Sequence, residues 1–460
     1  MFVGREKELE VLEKQYSSGK FEFAVLYGRR RIGKTHLLKQ FMMGKKAIYY
    51  MATESGEKAN LEMLSRVVLH NERKGPVATF FSYEDQFDYV GDLAQRERLV
   101  FVIDEYPYLA ESFPAISSIL QKYCDHLWKA TKLHLVLCGS SMSFMENQVL
   151  GVKSPLYGRR TVQIKLKEFH YFETERFLSG MDREAIATLH YATGGVAEYL
   201  TYVDKKSGLE SNLTSLFLTD SGRLYEEPMN YLKQELREPK VYNNILDAIA
   251  RGASRNNDIA MKANLASGAL NKYLQQLIEL GIVVRETPVG GKSNRKSIYR
   301  IRDGSFRFWY RFVFPNSSVI ELGQGRRLYR EQIKSGLSDY MGEGFEQIFF
   351  DFFDRMNEKG EFPVLITQRG RWWGNNPAEK REEEIDLVGM GESTVVLGEA
   401  KWRKEQTGMA ILKALMEKGQ RFEASEKIHL LFSKNGFTKD VKDFAKKESG
   451  IILKEFLTDT

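Results

Sequence analysis

The stretch Phe23–Phe41, FAVLYGRRRIGKTHLLKQF, constrains this chain more than any other. An apolar run of strand length ends at a glycine, a short loop follows, and a helical pattern with Leu37, Leu38 and Phe41 begins. Gly28, Gly33, Lys34 and Thr35 complete the spacing G-x-x-x-x-G-K-[ST]. A polyphosphate is a dense anion, so a loop that holds it must aim several backbone N–H groups at one point. Glycines allow the tight path and close approach that a Cβ blocks. The helix start adds unpaired N–H groups and the positive end of its dipole. Lys34 would reach the β/γ-phosphates and Thr35 would offer a hydroxyl to Mg²⁺. The intervening Arg29, Arg30, Arg31 and Ile32, with His36 just inside the helix, would line the same phosphates.

The strand pattern continues around this loop. Lys46–Met51 reads as a second strand, Leu99–Ile103 as a third and Leu133–Cys138 as a fourth. Thr161–Leu166 alternates and fits a fifth. Helical stretches separate them, which argues for a mostly parallel sheet with helices on both faces. The third strand runs straight into Asp104 and Glu105. In such sheets ligands bind at the carboxyl ends of the strands. Asp104 would hold Mg²⁺ through its water shell, and Glu105 would orient or deprotonate the attacking water. Ser140, at the next strand end, is a candidate for the γ-phosphate. Arg159 and Arg160 have two readings: neutralising transition-state charge, in cis or on a neighbouring subunit, or forming a plain surface pair.

FVGREKEL, YGRRRIGKT, VFVIDEYPYL, LCGSS, SPLYGRR and TGGVAEYL occur in that order over about the first half of the chain. This ordered set resembles the archaeal-type ATPase family, in the STAND branch of the AAA-related P-loop NTPases. The resemblance implies an AAA-like core with a helical lid, ATP as the nucleotide, and Gly4 and Arg5 near the base. Such cores often use a neighbour's arginine, which makes a homo-oligomer an expectation. One departure stands in the lid motif: Gly194 and Gly195 are kept, but Ala197 occupies the position where the family usually has proline.

Beyond Lys240 the character changes. Three helical patterns, Tyr242–Ala250, Asn256–Met261 and Ala266–Leu280, precede two short strand patterns, Ile282–Arg285 and Ser297–Ile301, around a GGKSNRK turn. That order is the winged helix-turn-helix plan. Its third helix would present Asn271, Lys272, Gln275 and Gln276 to a major groove. The wing would bring Lys292, Arg295 and Lys296, with Arg300 and Arg302 beyond, to phosphates. The alternative is a packing or partner module. The aromatic run Asp303–Phe314 reads as a helix packing the wing onto the next domain. Pro315–Gly336, rich in Gly, Ser and Arg, reads as a linker.

The last segment carries a third constellation. A helix over Leu337–Met356 holds Glu346; strands over Phe362–Thr367, Glu384–Val388 and Thr394–Lys401 follow, with Asp386 on the second and Glu399 and Lys401 on the third. Residues two apart on a strand share a face, so Glu399 and Lys401 point together. Asp386 and Glu399 would hold Mg²⁺ or Mn²⁺, Glu346 would complete the shell, and Lys401 would position water and stabilise a pentavalent phosphate. With the helix Met409–Phe422 and strand Lys427–Phe432, the segment resembles the PD-(D/E)xK restriction-endonuclease-like core, although Ile385 stands where that motif's proline would be.

Composition adds bounds. The chain has 460 residues, 42% hydrophobic and 28% charged, with a net charge of +6. That is the composition of a globular protein of two or three domains, compatible with nucleic-acid binding. No apolar run is long enough to span a bilayer. The two cysteines, Cys124 and Cys138, sit in apolar surroundings, read as core residues, and indicate a cytoplasmic compartment. The expected α/β architecture is an AAA-like P-loop NTPase core over 1–167, a helical lid over 168–238, a winged helix over 239–314, a linker over 315–336 and a nuclease-like domain over 337–460. The expected function is an ATPase coupled to DNA binding and metal-dependent cleavage. The alternative is a nucleotide-switched scaffold with an inactive nuclease-like domain.

Overall fold

The computed structural model describes residues 2–70, 79–290, 297–376 and 381–458. The chain forms two compact units, Met1–Phe169 with Val196–Glu198, and His170–Gly195 with Tyr199–Thr460.

The first unit is built on a five-stranded sheet. Its strands are β1 (Glu22–Tyr27), β2 (Ala47–Met51), β3 (Leu99–Asp104), β4 (Leu133–Gly139) and β5 (Val162–Lys165), in the order β2-β3-β4-β1-β5. Every pair is parallel, and the expected fifth strand is present beside β1. Buried on both faces, β1, β3 and β4 are continuously apolar rather than alternating. Phe23, Val25 and Tyr27 face a core shared with helices Glu57–His70 and Tyr83–Arg96. Ala24 and Leu26 face the opposite one, with Leu12 of α1 (Glu6–Ser17) and Leu37, Leu38 and Phe41 of α2 (Lys34–Met42). Cys124 and Cys138 are both buried and unpaired.

The second unit begins with helices Tyr171–Phe177, Arg183–Thr193, Leu209–Phe217 and Glu227–Glu235. The winged-helix order follows as expected: α3 (Pro239–Ala250), α4 (Asn256–Lys262), α5 (Ser267–Glu279), and the antiparallel pair β6 (Val283–Glu286) and β7 (Ile298–Ile301). The aromatic run packs as a helix, Gly304–Phe308, capped by Asp303 and pressed on helix Arg183–Thr193 so closely that a Cβ at Gly304 would lie 1.9 Å from the Tyr191 carbonyl oxygen.

Two expectations fail here. The segment 315–336 is not a linker: it is helical and buries Ile320, Leu328, Tyr329 and Ile333. Its glycines and arginines dominate the composition and hide the apolar positions. Nor is Phe362–Thr367 a strand. Asn357 hydrogen-bonds both the N–H and the carbonyl of Ile366, replacing a ladder, and the strand starts at Gln368.

The C-terminal sheet has β8 (Gln368–Asn376), β9 (Arg381–Met390), β10 (Thr394–Lys401), β11 (Glu426–Ser433) and β12 (Ile451–Glu455), in the order β12-β11-β10-β9-β8. β8, β9 and β10 pair antiparallel; β10, β11 and β12 pair parallel. The long α6 (Lys334–Glu358) stacks Phe345 and Phe349 on Phe432, with centroids 4.4 and 5.2 Å apart. α7 (Met409–Gly419) and α8 (Lys439–Lys447) contribute Leu412, Leu415 and Val441 to a separate cluster with Ile385, Val388 and Leu397.

His134 on β4 is fully buried against Phe41, with neither ring nitrogen hydrogen-bonded. Burial, with Arg98 and Lys45 nearby, lowers its pKa from 6.5 to about 3. The folded state thus keeps it neutral while the unfolded state protonates. Its contribution to stability is complete above about pH 6.5 and is lost as pH falls toward 3, by at most about 1.4 kcal/mol per pH unit. Denaturation midpoints measured across this window should fall with pH, and His134→Leu should flatten the slope.

Candidate functional site

The phosphate loop joins β1 to α2. Gly28 is fixed by packing as well as by any ligand: a Cβ there would stand 2.4 Å from the Leu166 carbonyl oxygen. Gly33, with φ of 96°, precedes α2 and supplies no side-chain cap. The first N–H groups of α2 are therefore left for a ligand. Lys34 is buried, and its Nζ donates to the carbonyls of Gly28 (2.8 Å) and Arg29 (2.9 Å).

Asp104, 1% exposed, ends β3 directly beside this loop. Its Oδ2 accepts from the Thr35 hydroxyl (3.0 Å) and the Tyr49 hydroxyl (2.6 Å); its Oδ1 accepts from the Glu105 N–H (2.9 Å). Burial and the Asp104 carboxylate push the Tyr49 pKa up, which keeps that hydroxyl a donor. Glu105 has a left-handed backbone, φ 50°, and its Oε2 accepts from the Ser140 N–H (3.1 Å) and hydroxyl (2.8 Å). The structure thus groups Thr35, Asp104, Glu105 and Ser140 at the ends of β3 and β4. It adds Tyr49, which sequence reasoning missed; the signal was its place on a strand neighbouring β3, two residues before the strand end.

The other expected ligands are distributed around the loop. Gly4 has φ of 72°. Arg5 is buried, donates to the carbonyls of Ile32 (3.1 Å) and Lys167 (2.6 Å), and lies over the Phe169 ring, tying α1 to the loop. Arg29 lies 3.9 Å from Glu168, Arg30 donates to the Tyr108 hydroxyl (2.9 Å), and Arg31 lies 3.8 Å from Glu198. His36 stacks on Phe2. The Glu198 N–H donates to the Arg31 carbonyl (3.0 Å), so the residues after the paired glycines touch the loop itself. Ala197 is the first residue of its helix, a position where proline is tolerated but supplies no needed bond. Of the two readings of Arg159, the contacts in this structure are those of an arginine paired on the protein itself. It forms a two-pronged pair with Asp125 of the helical segment Tyr123–Leu127 (2.9 and 2.7 Å) and donates to the Pro155 and Tyr157 carbonyls of its own loop. Arg160 is half-buried, and its charge acts on the Tyr27 hydroxyl.

In the winged helix, Asn271, Lys272 and Gln275 are exposed on α5. Gln276 instead bonds Tyr242. Lys292, Arg295 and Lys296 lie outside the described residues. Arg300 does not extend to solvent: it pairs with Glu343 (2.7 Å) and Glu286 (3.8 Å), because α6 brings its own carboxylate to the wing. Arg302 is exposed.

The C-terminal acids converge. Glu346, Glu384 and Asp386 each place a carboxylate oxygen within 4.8 Å of the others. Asp386 is buried and accepts from the Ala400 N–H (2.9 Å). Lys401 Nζ lies 2.6 Å from Glu399 and 3.9 Å from Asp386. Burial, together with Asp386, raises the Glu346 pKa to about 8; burial and Glu399 raise that of Asp386 to about 7. Glu399 Oε2 is buried without a hydrogen bond, with Lys418 Nζ 3.7 Å away. Buried oxygen donors short of positive charge fit a hard divalent cation. Glu384 and Arg371 were missed by sequence reasoning. Glu384 precedes Asp386 by two positions, the strand spacing for one face. Arg371 bonds Glu346 and Glu384, each at 2.9 Å.

Together these features define a P-loop ATPase carrying a winged helix. A family model described as an ATPase domain predominantly from Archaea matches residues 2–203. One described as a winged helix-turn-helix matches 238–302, and one described as "Archaea bacterial proteins of unknown function" matches 309–411. An uncharacterized protein of Methanocaldococcus jannaschii is 33% identical over 414 residues, 88% of each chain. An uncharacterized ATP-binding protein of that organism is 52% identical over 46 residues, 10% of this chain and 78% of its own. The Walker-type ATPase of Pyrococcus abyssi has the same fold over 67% of this chain and 96% of its own, with a TM-score of 0.52 and 20% identity. The chain belongs to this archaeal-type ATPase family, and in it the ATPase domain is followed by the winged helix and a further C-terminal domain. Among the described residues no helix is long and apolar enough to cross a membrane.

Tyr49→Phe removes one of two donors to Asp104 Oδ2 and keeps the ring. A hydrogen bond to a buried charge contributes about 1.5–3 kcal/mol. ATP turnover by Tyr49→Phe should therefore need roughly tenfold more Mg²⁺ for half-maximal rate, as read from Mg²⁺ titrations at fixed ATP.

Proposed function

We propose that this chain is a STAND-type ATPase that engages DNA through its winged helix and cuts it with a metal-dependent, PD-(D/E)xK-type C-terminal domain. In the first unit, Lys34 would leave the loop carbonyls for the β/γ-phosphates. Thr35 and Asp104 would hold Mg²⁺, directly and through water. Glu105, presented by Ser140, would orient the attacking water. The bound Mg²⁺·ATP supplies the scissile phosphoanhydride and the cation that neutralises it.

The nuclease reading is carried by one observation: Asp386 in the middle of β9 lies beside Glu399 and Lys401 at the end of β10, with Glu346 of α6 close to Asp386. Glu346 and Asp386, which converge with Glu384, would supply oxygen ligands for Mg²⁺ or Mn²⁺, Glu399 would add one from the neighbouring strand, and the ion would supply water activation and polarisation of the phosphodiester. Lys401 adds a fixed positive charge where the phosphorane develops. The strand order and pairing support the same comparison with the restriction-endonuclease-like core. DNA engagement is supported by the exposed Asn271, Lys272 and Gln275 on the third helix of the winged helix. A second reading, a nucleotide-switched scaffold whose last domain only binds, draws on Arg371 filling part of the acidic cluster.

Wild type, Lys34→Ala, Glu399→Ala and Lys401→Ala should be incubated with plasmid and single-stranded DNA, with Mg²⁺ or Mn²⁺, with and without ATP. The expected result is loss of ATP turnover in Lys34→Ala, and a loss of cleavage of roughly a hundredfold or more in Glu399→Ala and Lys401→Ala with ATP turnover intact. Cleavage that survives both C-terminal changes excludes this site as the nuclease. Salt-sensitive DNA binding with no cleavage by wild type establishes the scaffold instead.

A further inference from the structure

Arg371 is the chain's own cation inside a cluster that fits a metal. Its guanidinium spans Glu346 and Glu384 at 2.9 Å each, and its side chain is only 12% exposed. Those are two of the three carboxylates that could share one ion. Charge-assisted bonds of this geometry are strong, and a divalent ion that enters must displace or share them. The strand pairing is irregular beside this side chain. The β8–β9 register shifts between Gly370 and Trp372, so that Gly370 pairs with Val388 but Trp372 with Ile385. Two residues, Asp386 and Leu387, thus oppose Arg371 alone. The bulge lies on β9, so the side chains it re-aims are those of Asp386 and Leu387, opposite Arg371.

The winged helix meets the same residue. The Val289 N–H, three residues past the end of β6, donates to the Arg371 carbonyl at 3.0 Å. Val289 also covers Gly370, where a Cβ would stand 2.6 Å from Val289 Cγ2. At the wing's base, Arg300 bridges Glu286 on β6 to Glu343, one helical turn before Glu346 on α6. The wing, α6 and β8 are therefore joined by bonds at the edge of the acidic cluster.

We propose that Arg371 is a built-in counter-ion that competes with the divalent cation for Glu346 and Glu384, and that the docked wing holds it there. The proposal rests on the reading of the cluster as a cation site. Cation loading and wing position are then coupled, and the coupling is reciprocal. A DNA duplex that draws the wing away from β8 loosens Arg371 and admits the metal.

The test is Mn²⁺ binding by calorimetry on the full chain without nucleotide, for wild type, Arg371→Gln, Arg371→Lys and Asp386→Asn. Arg371→Gln should bind about tenfold more tightly than wild type, with Arg371→Lys between them and Asp386→Asn without the site. Binding by Arg371→Gln no tighter than wild type, while Asp386→Asn abolishes it, overturns the counter-ion and leaves the cation site standing. Equal binding in Asp386→Asn, or none in any protein, overturns the cation site itself. If near-UV dichroism shows Arg371→Gln misfolded, Arg371→Lys decides: no gain over wild type overturns the counter-ion. Duplex DNA should raise the Mn²⁺ affinity of wild type more than that of Arg371→Gln, and equal gains overturn the wing's part.

Discussion

The buried carboxylate of Asp104 is the interaction on which the first unit's chemistry depends. A carboxylate with 1% exposure is costly unless every lone pair has a partner. Here three donors come from three places: Thr35 at the start of α2, Tyr49 on β2, and the backbone of Glu105. The phosphate loop, an outer strand and the first residue after β3 are thereby tied to one atom group. Parallel pairing of β3 with both β2 and β4 sets the strand ends side by side, so Ser140 falls next to Glu105 without any local sequence cue. The left-handed backbone at Glu105 is the visible strain in this arrangement. Strain of that kind persists where the surroundings over-determine it, and the two bonds from Ser140 are those surroundings.

The second unit uses the opposite electrostatics. Its acids lie on α6, β9 and β10, and their neighbouring cations are too few to satisfy them. Glu346 and Asp386 respond by holding protons more tightly than free carboxylates do. Arg371, Lys401 and Lys418 relieve part of the repulsion, each bonded or close to two of these carboxylates or to one of them. A deficit of this sort is unfavourable for stability. The aromatic stack of Phe345 and Phe349 on Phe432 holds α6 in place against that repulsion, because it anchors the helix on either side of Glu346.

The parts legible in the sequence were those where one local signal decides. Continuous apolar runs marked β1, β3 and β4 because burial on both faces leaves no polar alternation to misread. The phosphate loop was legible because a ligand-binding backbone demands glycine and lysine at fixed offsets. The wing's order of three helices and two strands followed from helical periodicity and from the turn signal between the two short strand patterns. What escaped was decided by pairing between distant segments. β8 is an edge strand with a polar, arginine- and tryptophan-containing sequence, and its apolar predecessor Phe362–Thr367 looked the better strand until Asn357 took up its backbone. Arg159 kept two readings because nothing near it in sequence announces Asp125 as its partner.

The same limit explains why Asp386 was visible and Arg371 was not. Asp386 stands between the apolar Ile385 and Leu387, where an acid is conspicuous. Arg371 sits among Arg369, Trp372 and Trp373 in a strand with no clear alternation, and its importance comes from a register shift that only the partner strand defines. Ile385 and Val388 both face the same apolar cluster although they are three residues apart, which regular alternation forbids. That mismatch is the one trace of the bulge in the β9 sequence: two apolar anchors at odd spacing, with an acid between them. Where such spacing flanks an acid, the residue opposite on the partner strand is the one to examine next, because the extra residue puts two side chains against that one position.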